Sequence, residues 1–418
     1  MKTLGFQVAG PGSASFAPTL LPAPTISVSS PAAIDLREAA SPGFGVLDGP
    51  RVGARPALSP EQARAFAQRG FSYHDFSDPN VRLRECLRKG IPLDPVRPVH
   101  DYGPTGGILM DAHRPYDSIA MLQAVCKHTP ASVPIFVVSP DVEDIRHADQ
   151  VLEFGKRDEG AIHLIPIESR GSRTAISEWF RDHVGLFVTA KNGKQKLVRA
   201  DYYHGEDMST PLRGLFRAGE HHHIKEYIEF GNSVRIGGHI FLVDSDRMGD
   251  SEAADYIATG ADHVHLLPWL TNAKGDKAGI GHADERIFPV DDRTALTDSP
   301  VYAEYLRACG MQVRMLPSLI DNESAPYCTY ANALSVVTAD EKIAFVPQFA
   351  VIGVDPSLDA AALKAYEAEG FRAIPYSAPL TAMAGRGGIH CQTVNLPQGL
   401  AQLERPNTYA RPGAIKLN

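Results

Sequence analysis

Short apolar runs separated by polar, helix-compatible segments dominate the chain from about residue 96 onward. Runs such as 133–140 and 239–244 are bounded by turn residues, which is typical of strands. Between such runs lie 116–128, 299–310 and 359–370, and these segments predict helices. Because strands alternate with helices, the pattern predicts an α/β domain.

The part of the chain before this domain has a different amino-acid composition. Residues 1 to about 60 are rich in Pro, Ala, Ser and Gly, which predicts an extended or loosely ordered arm. The next stretches, 59–70 and 77–90, predict two short helices, each closed by a glycine. We therefore expect an N-terminal extension over 1–95 and a separate domain over 96–418.

Composition and charge limit the classes of protein to which this chain can belong. The net charge is −8 over 418 residues with no basic patch, so we expect no nucleic-acid partner. The five cysteines are scattered without a CxxC pair, which argues against a disulfide framework and a zinc site. No apolar stretch reaches the ~20 residues of a membrane helix, and Gly and Pro interrupt any secretory signal. We expect a cytoplasmic protein without a membrane partner.

Candidate chemistry is concentrated in polar stretches that lie within apolar surroundings. Asp182 precedes an apolar strand, where it is either a functional carboxylate or a turn residue that pairs with Arg181. His282 and Asp284 are two residues apart, so on a strand both side chains would face the same side. That spacing suits a catalytic pair and, equally, a structural hydrogen-bonded pair.

Two further stretches contain Asn232 and Cys391. Asn232 lies in a predicted turn before a strand, which needs no function to explain it. The stretch "GGIHCQTVNLP" alternates apolar and polar residues and predicts a strand, on which His390 and Cys391 would point to opposite faces. His282 is therefore the better candidate base for this cysteine. Taken alone, Cys391 is either a small core residue or a nucleophile.

Five motifs occur in a fixed order along the chain. They are "WFRD", "FGN", "GHAD", "YANAL" followed by "FVPQF", and "GGIHCQT". This set, which spans roughly residues 100 to 400, resembles the agmatine deiminase and bacterial peptidyl-arginine deiminase family of the guanidino-group-modifying superfamily. The resemblance implies the pentein fold, an α/β five-bladed propeller of ββαβ units with its active site in the central channel.

The resemblance also implies roles for individual residues. Cys391 matches the family's nucleophile and His282 its catalytic histidine, while Asp284 and Asp182 match its two carboxylates. A guanidinium is a planar cation that resists nucleophilic attack. Two carboxylates can hold its N–H groups in front of a thiolate, and a histidine can protonate the departing ammonia and then activate water. The scheme passes through a thiouronium intermediate and requires no metal and no cofactor.

Three more residues are candidates for substrate contacts. Asn232 and Arg386 could bind substrate, although a turn and an exposed loop arginine explain them equally well. Asn332, in "YANAL", is implied to shape the substrate channel without a catalytic role.

The implied reaction hydrolyses a guanidino group to a ureido group and ammonia. The chain has "EFGN" and "GHAD" where the family often has "EGGN" and "GHVD", and the aromatic segment of agmatine-specific enzymes is not evident after "WFRD". We therefore expect peptidyl-arginine in a peptide or protein as the substrate, giving peptidyl-citrulline. The alternatives are agmatine, another small guanidino compound such as free arginine, an amidinotransferase reaction and a non-catalytic binding module. Residues 1–95 could order the channel mouth, mediate dimerisation, for example in a homodimer, or bind a partner protein.

Overall fold

The structure is a computed structural model. It describes residues 58–111, 119–139, 162–166, 180–201, 219–245, 252–322, 327–378 and 388–400. All of these belong to one compact unit that extends from Arg55 to Asn418. The predicted N-terminal arm and Arg386 lie outside the described residues. Within those residues, no helix combines the length and the apolar character needed to cross a bilayer.

Six α-helices are described, and their boundaries follow ordinary capping rules. They are α1 (Pro60–Ala67), α2 (Pro79–Lys89), α3 (Ile119–His128), α4 (Phe180–Val184), α5 (Pro300–Ala308) and α6 (Pro356–Glu367). Short 3-10 helices occupy Phe230–Asn232, Ala253–Thr259, Ala283–Glu285 and Ala350–Ile352. Ser59 caps α1 by accepting a hydrogen bond from the backbone N–H of Gln62. Gly90 ends α2 at φ 67°, a left-handed conformation that glycine adopts without strain. The two predicted short helices are confirmed.

Eighteen strands are described, and they form five separate sheets. In chain order they are β1 (Ser72–Asp75), β2 (Val96–Pro98), β3 (Thr105–Asp111), β4 (Ile135–Ser139), β5 (Ile162–Pro166), β6 (Leu186–Ala190), β7 (Gln195–Asp201), β8 (Gly219–Tyr227), β9 (Val234–Ile236), β10 (His239–Asp244), β11 (His263–Pro268), β12 (Ile287–Pro289), β13 (Thr294–Thr297), β14 (Gln312–Met315), β15 (Leu334–Val337), β16 (Lys342–Gln348), β17 (Arg372–Ser377) and β18 (Thr393–Pro397). The sheets have the orders β1-β11-β10-β9, β2-β6-β7-β8, β18-β3-β4-β5, β12-β13-β14 and β15-β16-β17.

Every sheet contains the same pattern, an antiparallel pair followed by a parallel pair. The pattern occurs in β6-β7-β8, β9-β10-β11, β12-β13-β14, β15-β16-β17 and β18-β3-β4. A parallel pair needs a crossover connection. Helices α3, α5 and α6 lie in three of these crossovers, and Ala253–Thr259 lies in a fourth. The predicted mixed α/β fold is therefore confirmed, and these four repeats have the strands and helix of a ββαβ unit.

One sheet joins distant parts of the chain. β18 pairs antiparallel with β3, so that Asn395 lies opposite Ile108. This pairing anchors the segment just before β18, which carries Cys391. Because β-ladder hydrogen bonds fix the position of a strand, the chain on its N-terminal side is held in place as well.

The elements between residues 58 and 95 pack onto the same compact unit. β1 pairs antiparallel with β11. The ring of Tyr305 on α5 stacks on Phe71 at 4.4 Å between centroids and meets Phe66 of α1 edge-on at 4.9 Å. Residues that the sequence analysis assigned to the N-terminal extension therefore contribute to the hydrophobic core.

The largest hydrophobic cluster of the described residues joins three sheets. It brings Ile108 and Ile135 of β3 and β4 together with Phe345 of β16 and Tyr366 of α6, and all four are fully buried. Beside this apolar core, buried polar and charged side chains gather just before the first strands of the repeats. Since buried charges are costly unless they are paired, their concentration here marks a candidate site.

Candidate active site

The site is built from five segments, each of which precedes the first strand of one repeat. They are α4 before β6, Phe230–Asn232 before β9, Ala283–Glu285 before β12, residues 329–332 before β15 and the turn 389–392 before β18. The side chains that meet there are buried, namely Asp182, Glu229, His282, Asp284, Asn332 and Cys391. The repeated position explains how residues far apart in sequence reach one place.

Cys391 contacts two polar side chains. Its thiol donates to Asp284 Oδ2 at 3.4 Å, and Asn332 Nδ2 donates to the sulfur at 3.1 Å. Burial, together with the charges of Asp284 and Asp182, raises the pKa of the Cys391 thiol well above its usual value. Without a bound cation, the sulfur is therefore a neutral thiol and a poor nucleophile.

His282 lies among three carboxylates. Its Nε2 is 2.5 Å from Glu229 Oε2, while its Nδ1 is 3.9 Å from Asp182 Oδ1 and 4.0 Å from Asp284 Oδ1. Burial alone would lower the pKa of His282, but the carboxylates of Asp182 and Glu229 raise it to about 9. The ring is therefore protonated at neutral pH, with Glu229 fixing its orientation and Nδ1 turned toward the other two carboxylates.

A backbone amide holds Asp182 in place. The N–H of Gly231 donates to Asp182 Oδ1 at 2.9 Å. A Cβ at position 231 would stand 2.3 Å from that oxygen and 3.2 Å from His282 Nδ1, so only glycine allows this approach. Burial raises the pKa of Asp182 to about 7, and the nearby carboxylates of Glu229 and Asp284 add to the shift against the opposing charge of His282.

The two oxygens of Asp284 have different surroundings. Oδ2 accepts from His390 Nδ1 at 2.8 Å and from Asn332 Nδ2 at 3.3 Å, in addition to the Cys391 thiol. Oδ1 is buried and makes no hydrogen bond within the described part of the chain. Burial alone would raise the pKa of Asp284, but the hydrogen bond from His390 and the charges of His390 and His282 bring it below its usual value.

The local backbone around His282 differs from the prediction. His282 and Asp284 do not lie on a strand, because His282 immediately precedes the 3-10 helix Ala283–Glu285. Glu285 stabilises this turn by accepting hydrogen bonds from the backbone N–H groups of Ile280 at 3.0 Å and His282 at 3.5 Å. The expectation that both side chains would lie on one side of the site is nevertheless met, since Nδ1 and Oδ1 are 4.0 Å apart.

The backbone at Cys391 also differs from the prediction. Residues 389–392 form a turn, and β18 begins only at Thr393. The backbone N–H of His390 donates to Asn332 Oδ1 at 3.0 Å instead of joining a β-ladder. His390 and Cys391 therefore do not point to opposite faces, because both side chains contact Asp284 Oδ2.

The two remaining predicted substrate contacts have different outcomes. Both ends of the Asn232 amide bind backbone: Nδ2 donates to the carbonyl of Val243 at 2.7 Å, and Oδ1 accepts from the N–H of Val243 at 2.8 Å and of Ala283 at 3.0 Å. Asn232 thus braces the turn that carries His282. Arg386 lies outside the described residues, and its contact with substrate stays a prediction.

Sequence reasoning did not identify every residue that the site brings together. Glu229 was noted only as part of "EFGN", yet it makes the shortest contact of His282. Asn332 was expected only to shape the channel, yet it contacts the sulfur of Cys391. A carboxylate or amide within an otherwise buried apolar run was the available signal for both, since such groups need buried partners.

Three of these residues could also serve as metal ligands. Asp182, Glu229 and His282 bring one ligand atom each within 4.8 Å of one another. However, Glu229 already holds Nε2 of His282, and the resulting ion pair accounts for the arrangement without an ion. We assign no metal to this site.

Comparison with known proteins shows which solved structures share this fold. No family model matches the chain, and no curated protein matches its sequence. An agmatine deiminase of C. jejuni with substrate bound matches with a TM-score of 0.54 and 13% identity, over 73% of this chain and 97% of that chain. A candidate peptidyl-arginine deiminase matches with a TM-score of 0.53 and 16% identity, over 73% and 99%. An agmatine deiminase of Enterococcus faecalis matches with a TM-score of 0.52 and 14% identity, over 73% and 96%.

The chain therefore shares the fold of these structures, and the resemblance to the agmatine deiminase and peptidyl-arginine deiminase family is confirmed at the level of the fold. The matching structures include both agmatine deiminases and a candidate peptidyl-arginine deiminase, so the fold does not separate these two substrates. The site residues, rather than the fold, carry the argument about the reaction.

Proposed function

We propose that this protein is a hydrolase that converts a guanidino group to a ureido group and ammonia, with Cys391 as nucleophile. The observation that carries the proposal is a pair of buried atoms, His282 Nδ1 and Asp284 Oδ1, which have no hydrogen-bond partner among the described residues. They lie 4.0 Å apart and both belong to the group of side chains around Asp182 and Cys391. Buried polar atoms are almost always satisfied, so this arrangement suits a polar ligand.

A guanidinium fits the charge of this space. Asp182 and Asp284 can each accept charge-assisted hydrogen bonds from a different edge of the planar cation. Asp182, whose pKa is raised to about 7 by burial, gains a positive partner when such a cation binds. The two carboxylates would thus hold the guanidinium carbon in front of the sulfur.

Substrate binding would also activate the nucleophile. Once a cation lies between the sulfur and the two carboxylates, it opposes the charges of Asp284 and Asp182 that help to raise the pKa of the Cys391 thiol. The thiol then releases its proton to solvent only when substrate is bound, and the N–H of Asn332 supports the resulting thiolate with a hydrogen bond at 3.1 Å. This coupling protects the free enzyme from unwanted reactions of its cysteine.

His282 would transfer the protons. After the sulfur bonds to the guanidinium carbon, the protonated Nδ1 gives its proton to the departing nitrogen, and the C–N bond breaks to release ammonia. The neutral ring then takes a proton from a water molecule, which attacks the thiouronium carbon. The C–S bond breaks, and the proton of the new hydroxyl group passes to the sulfur, which leaves the ureido product and Cys391 as a thiol. Glu229 would hold the ring in place through both steps.

We further propose that peptidyl-arginine is the preferred substrate. We also propose that the five repeats are arranged around a common axis. The substrate preference rests on the missing aromatic segment after "WFRD". The proposed axis is supported by the five site segments, which occupy equivalent positions before their first strands.

A substrate panel tests the proposed function. Purified protein would be incubated with a blocked arginyl peptide, agmatine and free arginine, and both ureido product and ammonia would be measured. We expect product from the peptide, its loss in Cys391→Ser, and its retention in Cys86→Ser, a buried cysteine of α2 outside the site. Product mainly from agmatine would refute the substrate preference. Absence of ammonia and ureido product from all three would refute the proposed function.

A further inference from the structure

A partly buried carboxylate, that of Asp101, lies on the far side of His390 from Asp284. His390 Nε2 is 3.3 Å from Asp101 Oδ2, while its Nδ1 is 2.8 Å from Asp284 Oδ2. His390, which is 5% exposed, thus bridges two carboxylates through its imidazole. Asp101 follows β2 and is separated from His390 by most of the domain in sequence. Neither Asp101 nor this bridge has a part in the proton transfers proposed above.

The number of hydrogen-bond donors that the two carboxylates require limits the protonation state of the His390 ring. Arg181 Nη1 donates to Asp101 Oδ2 at 3.0 Å, and this guanidinium favours the ionised carboxylate. Asp284 Oδ2 accepts from Asn332 Nδ2 and from the Cys391 thiol, which likewise favours its ionised form. An ionised carboxylate only accepts hydrogen bonds, and a neutral imidazole has only one N–H. A neutral ring would therefore direct a lone pair at one of the two carboxylates.

We propose that His390 is a doubly protonated imidazolium, a fixed internal cation that links Asp101 to Asp284. It acts as a positioning residue, because it holds Asp284 Oδ2 so that Oδ1 remains available to a cationic substrate. The positioning role rests on the proposed function, whereas the protonation state does not.

The surroundings of the bridge are consistent with a permanent cation. Arg181 fixes the same turn with two hydrogen bonds. Its Nε donates to the carbonyl of His390 at 2.8 Å, and its backbone N–H donates to the carbonyl of Cys391 at 3.1 Å. The nearby positive groups Arg235 and His282 oppose a further cation, but they do not hydrogen-bond the ring. Direct hydrogen bonds to two carboxylates outweigh these more distant charges, since buried ions are tolerated when they are paired.

The protonation state can be measured without turnover. Nitrogen-15 NMR of histidine-labelled protein at pH 8 distinguishes an imidazolium from either neutral tautomer. We expect at least two imidazolium rings in the wild-type protein, those of His282 and His390. One of these signals should vanish in His390→Asn and change to a neutral-ring signal in Asp101→Asn. Fewer than two imidazolium rings in the wild-type protein, or an unchanged set in a folded His390→Asn variant, would overturn the proposal.

The positioning role predicts a specific change in kinetics. In His390→Asn, loss of the charged donor should raise KM for the guanidino substrate by on the order of 10-fold, because a hydrogen bond to a charged group is lost. It should leave kcat little changed, because a hydrogen bond that only holds Asp284 in place serves substrate binding in the ground state and in the transition state alike. The His223–Asp201 pair, which is partly exposed and 2.8 Å apart, offers the matched control variant His223→Asn.

The outcomes separate the two proposals. His223→Asn should leave both KM and kcat unchanged. If folded His390→Asn keeps the wild-type KM, the positioning role is wrong even when the protein is an active deiminase. If no guanidino substrate is turned over, the proposed function fails, while the NMR measurement still decides the protonation state of His390.

Discussion

The substitution Gly231→Ala tests the geometry of the site most sharply. Position 231 has no left-handed backbone angle, so alanine brings no backbone strain there. Its Cβ would stand 2.3 Å from Asp182 Oδ1, about 1 Å short of ordinary van der Waals contact. The hydrogen bond from the Gly231 N–H to this oxygen holds Asp182, so the methyl group must push the carboxylate away from its position. His282 Nδ1, at 3.2 Å from the same Cβ, would also be displaced.

A misplacement of about 1 Å in a catalytic group costs on the order of 10²-fold in rate. We therefore expect Gly231→Ala to lower kcat/KM for the guanidino substrate by about that factor while circular dichroism shows a folded protein. The assay is ureido-product formation under initial-rate conditions. Gly219→Ala is the matched control, because a Cβ there meets no atom within 4 Å. Wild-type activity in Gly231→Ala would refute the placement of Asp182 and His282 described above.

Three further predictions concern the charges of the site. The plot of kcat/KM against pH should be bell-shaped. It should fall below about pH 7 as Asp182 gains a proton and above about pH 9 as His282 loses one. Activity undiminished at pH 5.5 would contradict this expectation. Glu229→Gln should lower kcat on the order of 10²-fold and move the alkaline limb to lower pH, since the pKa of His282 falls; an unchanged limb in pH–rate measurements would count against the ion pair. Neutral iodoacetamide should alkylate Cys391 more slowly than a free thiol at pH 8, whereas a cationic haloacetamidine should alkylate it faster; peptide mass spectrometry measures both, and the reverse order would contradict activation by a bound cation.

Much of the fold and site could be predicted from the sequence. Alternating strands and helices indicated the α/β class, and the ordered motifs directed attention to Asp182, His282, Asp284 and Cys391. The structure brings these four together with their side chains buried. Motifs could identify them because each lies in a short segment just before the first strand of a repeat, so that the residues of one motif occupy one position in the repeat.

Two features could not be predicted because they depend on contacts across the fold. The strand predicted through Cys391 is a turn, since the amide of Asn332 accepts the backbone N–H of His390 from a different repeat. The pairing of Glu229 with His282 joins residues 53 positions apart. Alternation of apolar and polar residues describes one segment at a time, so it contains no information about such partners.

The central claim is that Cys391 attacks a guanidinium carbon, and a trapped intermediate tests it most directly. The reaction with a blocked arginyl peptide would be quenched with acid within milliseconds to seconds, and the digested protein analysed by mass spectrometry. The account predicts a substrate-derived thiouronium adduct on the peptide that contains Cys391, absent from the peptides of the other four cysteines and from Cys391→Ser. Ureido product formed at the wild-type rate by Cys391→Ser would contradict the account.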